Sequence, residues 1–271
     1  MIIGIDIGGT TTDIVGLKNG KIIHPLTVKA DDPITSAAGA LGKFLETLNI
    51  SLEEIQIISA TGVGSGKIKG NLFGIPVETV DEFHAIGTAG SFLSGLKKAV
   101  VVSMGTGTAV VTVDGTSIVH WGGSGVGGGT LVGLAGKMLN IKSLDTLVDK
   151  ASRGNLENVD LTVGDIAGGA LDNLPASITA SNFGKMSDQA RDEDIAMAII
   201  NLVAQTIGVM GIAAARASNL QDIILTGKLA GIVPMKTVLE RVADLYGTKF
   251  IIPDNAGFAT AIGAAIYIGN R

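Results

Sequence analysis

At 271 residues, with 46% hydrophobic and 17% charged residues, the chain is too apolar for disorder and long enough for one large core or two medium ones. A net charge of −5 argues against a nucleic-acid surface, which would need a basic stripe. The absence of cysteine excludes disulfides, thiolate-bound zinc and thiolate-held iron–sulfur clusters, and fits a reducing compartment.

The first 28 residues read as three antiparallel strands. Ile2, Ile3, Ile5 and Ile7 form a strand that delivers Asp6 to its end, and Gly8-Gly9 then turns the chain into Thr10, Thr11 and Thr12. Glycines let backbone N–H groups approach a phosphate, and the threonine hydroxyls can add donors. A carboxylate at Asp6 suits Mg²⁺ or its bound waters. The pattern is strand–turn–strand, unlike the strand–turn–helix of a Rossmann or Walker loop. Asn19-Gly20 signals a type I′ hairpin between the second and third strands.

Asp31-Asp32-Pro33 is expected to open a helix through Thr47, with Ile34, Ala37, Ala38, Leu41, Phe44 and Leu45 on its inner face. A short buried strand is expected over 55–60. The following Gly62-Val-Gly-Ser-Gly-Lys67 fails as a Walker loop, because Thr61 replaces the first glycine and Ile68 the metal-binding hydroxyl. It reads instead as a flexible glycine loop near a ligand. A strand over 77–80 then leads through Asp81, Glu82, Phe83 and His84 into a helix ending near Leu96. His84 reads as a solvated helix residue.

From Lys98 the opening pattern returns. A strand over 99–102, the turn Ser103-Met-Gly-Thr-Gly-Thr108, a strand over 109–113, a type I′ hairpin at Asp114-Gly115 and a strand over 117–121 repeat the first unit. Two phosphate-sized turns facing one another would clamp a nucleoside triphosphate. Gly122 to Gly129 then runs glycine-rich into a helix expected near Thr130, whose dipole would favour an anion. Residues 144–150 read as helix and 151–194 as mixed.

A long apolar helix over 193–218 carries Asn201, Gln205 and Arg216, so it reads as buried and not as a membrane span. A strand over 223–226 ends at Gly227, and a helix over 234–245, a strand over 250–252 and a helix over 257–268 complete the chain. The spacings Gly208/Gly211 and Gly257/Ala261/Gly263 suit close helix contacts, including contacts between subunits. With a strand at the N-terminus in place of a leader, a soluble cytoplasmic protein with no membrane or nucleic-acid partner is expected.

Six segments carry a resemblance: Asp6 to Thr10, Asp81-Glu-Phe83, Gly105 to Thr108, Gly122 to Thr130, Thr179-Ala-Ser-Asn-Phe-Gly184 and Asn255 to Gly263. With these the chain resembles the acetate kinase, sugar kinase, Hsp70 and actin superfamily, and within it the type II pantothenate kinases. The resemblance implies an α/β fold of duplicated ribonuclease H-like (actin-like ATPase) domains, each with a mixed sheet flanked by helices. The expected boundaries are 1–97 and 98–271, with the terminal helix free to pack back across. It further implies a homodimer that uses ATP and Mg²⁺ to phosphorylate the primary hydroxyl of pantothenate, entering coenzyme A synthesis. Glu82 would be the catalytic base. Asp6, Gly8, Gly9, Thr10, Thr11, Thr106, Gly107, Thr108, Gly127, Gly128, Gly129 and Gly227 would hold ATP, Asp6 the metal, and Ser103, His120 and Asn182 the acceptor.

One position departs from that family. His120 stands where an arginine is usual, and it is shorter and largely neutral at pH 7. Pantetheine or an amino sugar therefore stays open as acceptor, as does a non-catalytic nucleotide-binding homologue. An ATP-driven activator bridged by an iron–sulfur cluster would need cysteines, and there are none.

Overall fold

The computed structural model describes residues 1–29, 32–172 and 174–271. Chain order gives β1 (Ile2–Ile7), β2 (Thr11–Lys18), β3 (Lys21–Lys29), α1 (Pro33–Leu48), β4 (Ile57–Thr61), β5 (Asn71–Leu72), β6 (Ile75–Thr79) and α2 (Glu82–Ser94). The second half follows with β7 (Lys98–Met104), β8 (Thr108–Asp114), β9 (Ser117–Ser124), α3 (Gly128–Leu139) and α4 (Leu144–Ala151). It continues through β10 (Leu161–Thr162), α5 (Val163–Ala167), β11 (Thr179–Ser181), α6 (Asp192–Ala217), β12 (Ile223–Thr226), α7 (Val233–Tyr246), β13 (Phe250–Ile251) and α8 (Ala259–Gly269).

Two mixed sheets share one topology. The first runs β3-β2-β1-β4-β6-β5 and the second β13-β12-β7-β8-β9. Each begins as an antiparallel three-strand meander, and each adds a parallel strand beside the meander's first strand: β4 on β1, β12 on β7. This is the duplication read from the repeated turns, now visible as strand order.

Strand alternation splits each sheet's faces. Ile3, Ile5 and Ile7 point to α1 and bury against Ala37, Leu41 and Phe44, while Ile2 packs toward α8. Gly4, on Asp6's face, lies under the Ala261 carbonyl of α8, where a Cβ would collide with backbone. In the second sheet Val100, Val102 and Met104 face α6, whereas Ala99 and Val101 face Ile86 of α2. Helix α2 packs on α8 and on β7, β8 and β9, and so lies between the two sheets. Its N-terminus carries Glu82.

Several local expectations need correction. The second hairpin turns on Gly115-Thr116, since Asp114 pairs with Ser117, and of these two only Gly115 has positive φ (64°). That is the pattern of a type II′ turn and not type I′. In the first hairpin both Asn19 (52°) and Gly20 (74°) are left-handed, as type I′ requires. Ile34 is half exposed in the first turn of α1, outside the buried stripe. Asp32 caps that helix by accepting from Thr35 N–H, while Asp31 lies outside the described residues.

Helix α3 starts at Gly128, two residues before Thr130. The glycine spacings serve contacts within the chain: Gly208 faces Leu239 and Val242, Gly211 faces Val102, and Gly263 lies against Ala85 of α2. Helix α6 is long and apolar enough to span a membrane, yet most of it is buried inside the molecule against β7, α3, α4 and α7.

Candidate active site

Asp6 is the last β1 residue but one. Strand pairing sets Asp13 of β2 directly opposite it and Thr61 of β4 beside it. Paired residues share a sheet face, so the two carboxylates are neighbours. Gly62 (φ 83°) follows Thr61 and lies against the Asp6 carboxylate, where a Cβ would strike Oδ1. Burial first, then the charges of Asp13 and Glu82, push the Asp6 carboxyl up to about 7, against the lowering effect of Lys228. Gly62 and Gly64 of the glycine loop thus pack against the end of β1, while Val63, Gly66 and Lys67 are exposed. Gly64 N–H donates to Ile7 O at 3.0 Å.

The first turn is tied by Gly8 N–H donating to Thr11 O at 3.0 Å. Among the described residues, the N–H groups of Gly9, Thr10 and Thr106 have no backbone partner. The second turn closes with Gly105 N–H donating to Gly107 O at 2.9 Å. The two turns face each other: a Cβ placed on Gly9 would lie 4.0 Å from Thr106 Oγ1. The expected pair of opposed, phosphate-sized turns is thus present as geometry.

The glycines before α3 do a different job from the one their sequence suggests. Gly128 and Gly129 N–H groups donate to Gly105 O and Thr106 O, both at 2.9 Å, and Gly127 N–H donates to Thr130 Oγ1 at 3.2 Å. A Cβ at Gly127 would fall 2.6 Å from Thr106 O. These glycines let the helix start seat on the second turn, and their N–H groups are occupied there. Thr108 likewise spends its hydroxyl on Val126 O at 2.8 Å. Gly227 (φ 86°) would place a Cβ 2.5 Å from Met104 O, so it locks β12's exit under the same turn.

Glu82 opens α2, with Asp81 as N-cap accepting from Phe83 N–H (3.0 Å) and His84 N–H (3.1 Å). Partial burial opposes ionising Asp81, but the bonds from the His84 and Phe83 N–H groups, with the His84 ring, outweigh it and hold Asp81 below its ordinary value. Burial and then the Asp81 charge push Glu82 the other way, up. Two adjacent carboxylates thus separate into a cap that stays ionised and a group whose proton affinity is raised.

His120 stacks on Phe83, ring centroids 3.8 Å apart and planes within 10°. The residue next to Glu82 is therefore covered by β9 of the second sheet. Ser103 lies on the same side, because alternation from Ala99 and Val101 aims it toward α2. His84 contacts Asp81 through Nδ1 (3.1 Å) and sets its ring edge-on to Tyr267.

Asn182 is held by α6. Its amide accepts from Asn201 Nδ2 and donates to Gln205 Oε1, both at 3.2 Å, which ties it to α6. Buried Asp160 anchors the same segment by accepting from Phe183 N–H, Thr179 and Asn201. Reading the sequence missed two residues of the cleft, Asp13 and Lys228, whose ion pair spans 2.7 Å. A lysine just past a strand-ending glycine was the available signal.

Asp6 fits a magnesium ion of the kind carried mainly by a nucleotide. Its carboxylate borders the cleft, and beside it the buried Thr61 hydroxyl has no partner among the described residues. Among those residues no three His, Asp or Glu side chains form a metal cage. Mg²⁺ with phosphates and waters needs only one or two carboxylates from the protein.

Comparison with known proteins adds ancestry to this geometry. The Fumble family model matches residues 98–265. A type II pantothenate kinase of Bacillus anthracis is 28% identical over 280 aligned positions, covering 99% of this chain and 98% of its own. The Staphylococcus aureus (strain MRSA252) type II pantothenate kinase is 29% identical, covering 99% and 100%. Among solved structures, the activator of the 2-hydroxyisocaproyl-CoA dehydratase of Clostridium difficile with bound ADPNP superposes with a TM-score of 0.69 at 19% identity, covering 98% and 93%. A ROK family glucokinase of Streptomyces griseus, in complex with glucose and AMPPNP, gives 0.61 at 15%, covering 98% of each chain. These structural likenesses establish an actin-like, duplicated ribonuclease H-like fold. With the family model matching more than half its length, the chain belongs to the Fumble family.

Proposed function

We propose that pantothenate is the acceptor of this ATP-dependent small-molecule kinase, with Glu82 as general base. The observation that carries the reading is Glu82 at the start of α2, its proton affinity raised by burial and its charge felt at Asp6, the carboxylate that leads into the first turn. Full-length similarity to type II pantothenate kinases supports the choice of acceptor.

In this reading the N–H groups of Gly9, Thr10 and Thr106, which have no backbone partner among the described residues, bind the triphosphate with nearby Thr11 and Gly107, while Gly8 and Gly227, whose N–H groups are taken by Thr11 O and Ala256 O, shape the two turns. Asp6 holds Mg²⁺, which would neutralise phosphate charge when bound. The acceptor's primary hydroxyl oxygen attacks the γ-phosphorus, the bond from that phosphorus to the β–γ bridging oxygen breaks, and ADP leaves. Glu82 takes the hydroxyl proton as the new O–P bond forms. Ser103 and the stacked His120 line the acceptor side. Thr108, Gly127, Gly128 and Gly129 shape the second turn from behind, and Asn182 orders the 179–184 segment. Residues 1–97 and 98–271, the terminal helix packing back across, act as the two closing halves of each protomer in a cytoplasmic homodimer.

A coupled ADP-release assay tests this with pantothenate, pantetheine and N-acetylglucosamine as acceptors. Turnover is expected with pantothenate, and Glu82→Gln is expected to lower it by about 10²–10⁴ while ATP still binds. Turnover with the other acceptors alone would keep the base and change the function. Full activity in Glu82→Gln would remove the assigned base.

A further inference from the structure

Lys228 leaves the second half of the molecule and ends in the first. Gly227, with its left-handed backbone wedged under Met104 O, fixes the point of departure, and Gly227 N–H donates to Ala256 O at 2.8 Å. The Lys228 ammonium passes over the Phe258 ring at 3.9 Å from the centroid. It then meets Asp13 Oδ1 of β2 and Thr27 Oγ1 of β3, each at 2.7 Å. Thr27 donates its own hydroxyl proton to Asp13 Oδ1 at 2.6 Å, so the three groups form a closed triangle. The Asp13 side chain is only 9% exposed, and this lysine is its one cationic partner among the described residues.

A buried carboxylate stripped of its cation is costly, and more so beside a second carboxylate at Asp6. Separating the halves would leave Asp13 in that state. We propose that Lys228 is a positioning residue that holds the nucleotide cleft closed by clasping Asp13 and Thr27 across the two sheets. The clasp lies outside both phosphate turns, so closure is carried by residues that need not touch substrate. A cationic head that grips oxygens on the opposite half also sets the distance between the turns, and hence the reach from Glu82 to a bound γ-phosphate. The consequence for turnover rests on the kinase reading above; the consequence for cleft geometry does not.

The chain's lack of cysteine makes the direct test clean. Spin labels on Glu46→Cys in α1 and Glu240→Cys in α7, both exposed, report the separation of the halves without any ligand. The parent chain is expected to show one narrow distance distribution, Lys228→Met a longer and broader one, and Lys228→Arg a return toward the parent. If Lys228→Met does not fold, the isosteric Asp13→Asn makes the same demand. A distribution in the neutral variant that coincides with the parent overturns the clasp. So does lost turnover at unchanged distance, which would place Lys228 on the phosphates instead.

For turnover, Lys228→Met should lower kcat by about a hundredfold with the KM for the acceptor little changed, because a small misplacement of reacting groups costs that much. Should the parent phosphorylate no pantothenate while the distances respond as described, the functional reading fails and the clasp stands.

Discussion

The two halves place the same scaffold at the cleft and load it differently. In the first, Asp6 stands one residue before the end of the leading strand, with Thr61 alongside and Gly62 (φ 83°) after that threonine. In the second, Ser103 holds the corresponding position, with Thr226 alongside and Gly227 (φ 86°) after it. Opposite Asp6 stands Asp13; opposite Ser103 stands Ala109. After Gly62 comes Val63, 80% exposed, and after Gly227 comes Lys228 reaching across. The backbone geometry was kept through the duplication while the charges were divided. Carboxylates sit on the first half and the balancing cation on the second. A symmetric frame suits gripping a triphosphate from two sides; the proposed metal site and clasp both draw on the asymmetric charges.

The sharpest way to break that asymmetry is Asp6→Asn, which makes the first turn as uncharged as the second. Turnover with Mg·ATP is expected to disappear. In the absence of nucleotide the same variant should change the pH dependence of stability. Asp6 binds its proton more tightly folded than unfolded. Its contribution is therefore fully present below the usual value of 3.8 and is lost as pH rises through about 7. Urea midpoints between about pH 4 and about pH 8 should fall more steeply in the parent than in Asp6→Asn. Parallel slopes would mean that Asp6 ionises normally.

The equivalence of the two glycines can be tested with Gly62→Ala and Gly227→Ala. Both positions combine positive φ with a neighbour in the way, so each is expected to destabilise by more than about 1 kcal/mol in chemical denaturation. Gly227→Ala meets fixed backbone at Met104 O, whereas Gly62→Ala meets backbone at Ile7 as well as the Asp6 carboxylate. Gly62→Ala should therefore also weaken Mg·ATP binding. If neither variant moves the midpoint, the close approach is not needed.

The smallest expected effect is that of His120→Ala. Losing the ring stacked on Phe83 should cost about 0.5–1.5 kcal/mol of stability and raise the acceptor KM more than it lowers kcat. An unchanged KM would remove His120 from the acceptor wall.

Much of this was legible from residue order alone. The repeated strand–turn–strand units of 1–28 and 98–121 predict the duplicated sheet, because hydrophobic alternation and Asn-Gly or glycine turns act over a few residues. The long apolar stretch with Asn201 and Gln205 reads as a buried helix for the same local reason, and α6 is buried against the second sheet. Glu82 beside Asp81 reads as a helix start, and Asp81 is its cap. Whether a glycine's N–H is free or already used is a tertiary matter. Gly128 and Gly129 look like anion donors in sequence, and their N–H groups are taken by Gly105 O and Thr106 O.

Asn182 shows the same limit, since only the neighbouring α6 reveals that its amide is engaged there. Neither the pairing of Asp13 with Lys228, 215 positions along the chain, nor the stack of Phe83 on His120 has any local signature. Sequence periodicity determined which faces are apolar and where the turns fall, because those depend on nearest neighbours. The tertiary structure decided which charges meet and which donors remain open, because desolvation and Coulomb energy depend on distances set by the packing of both halves.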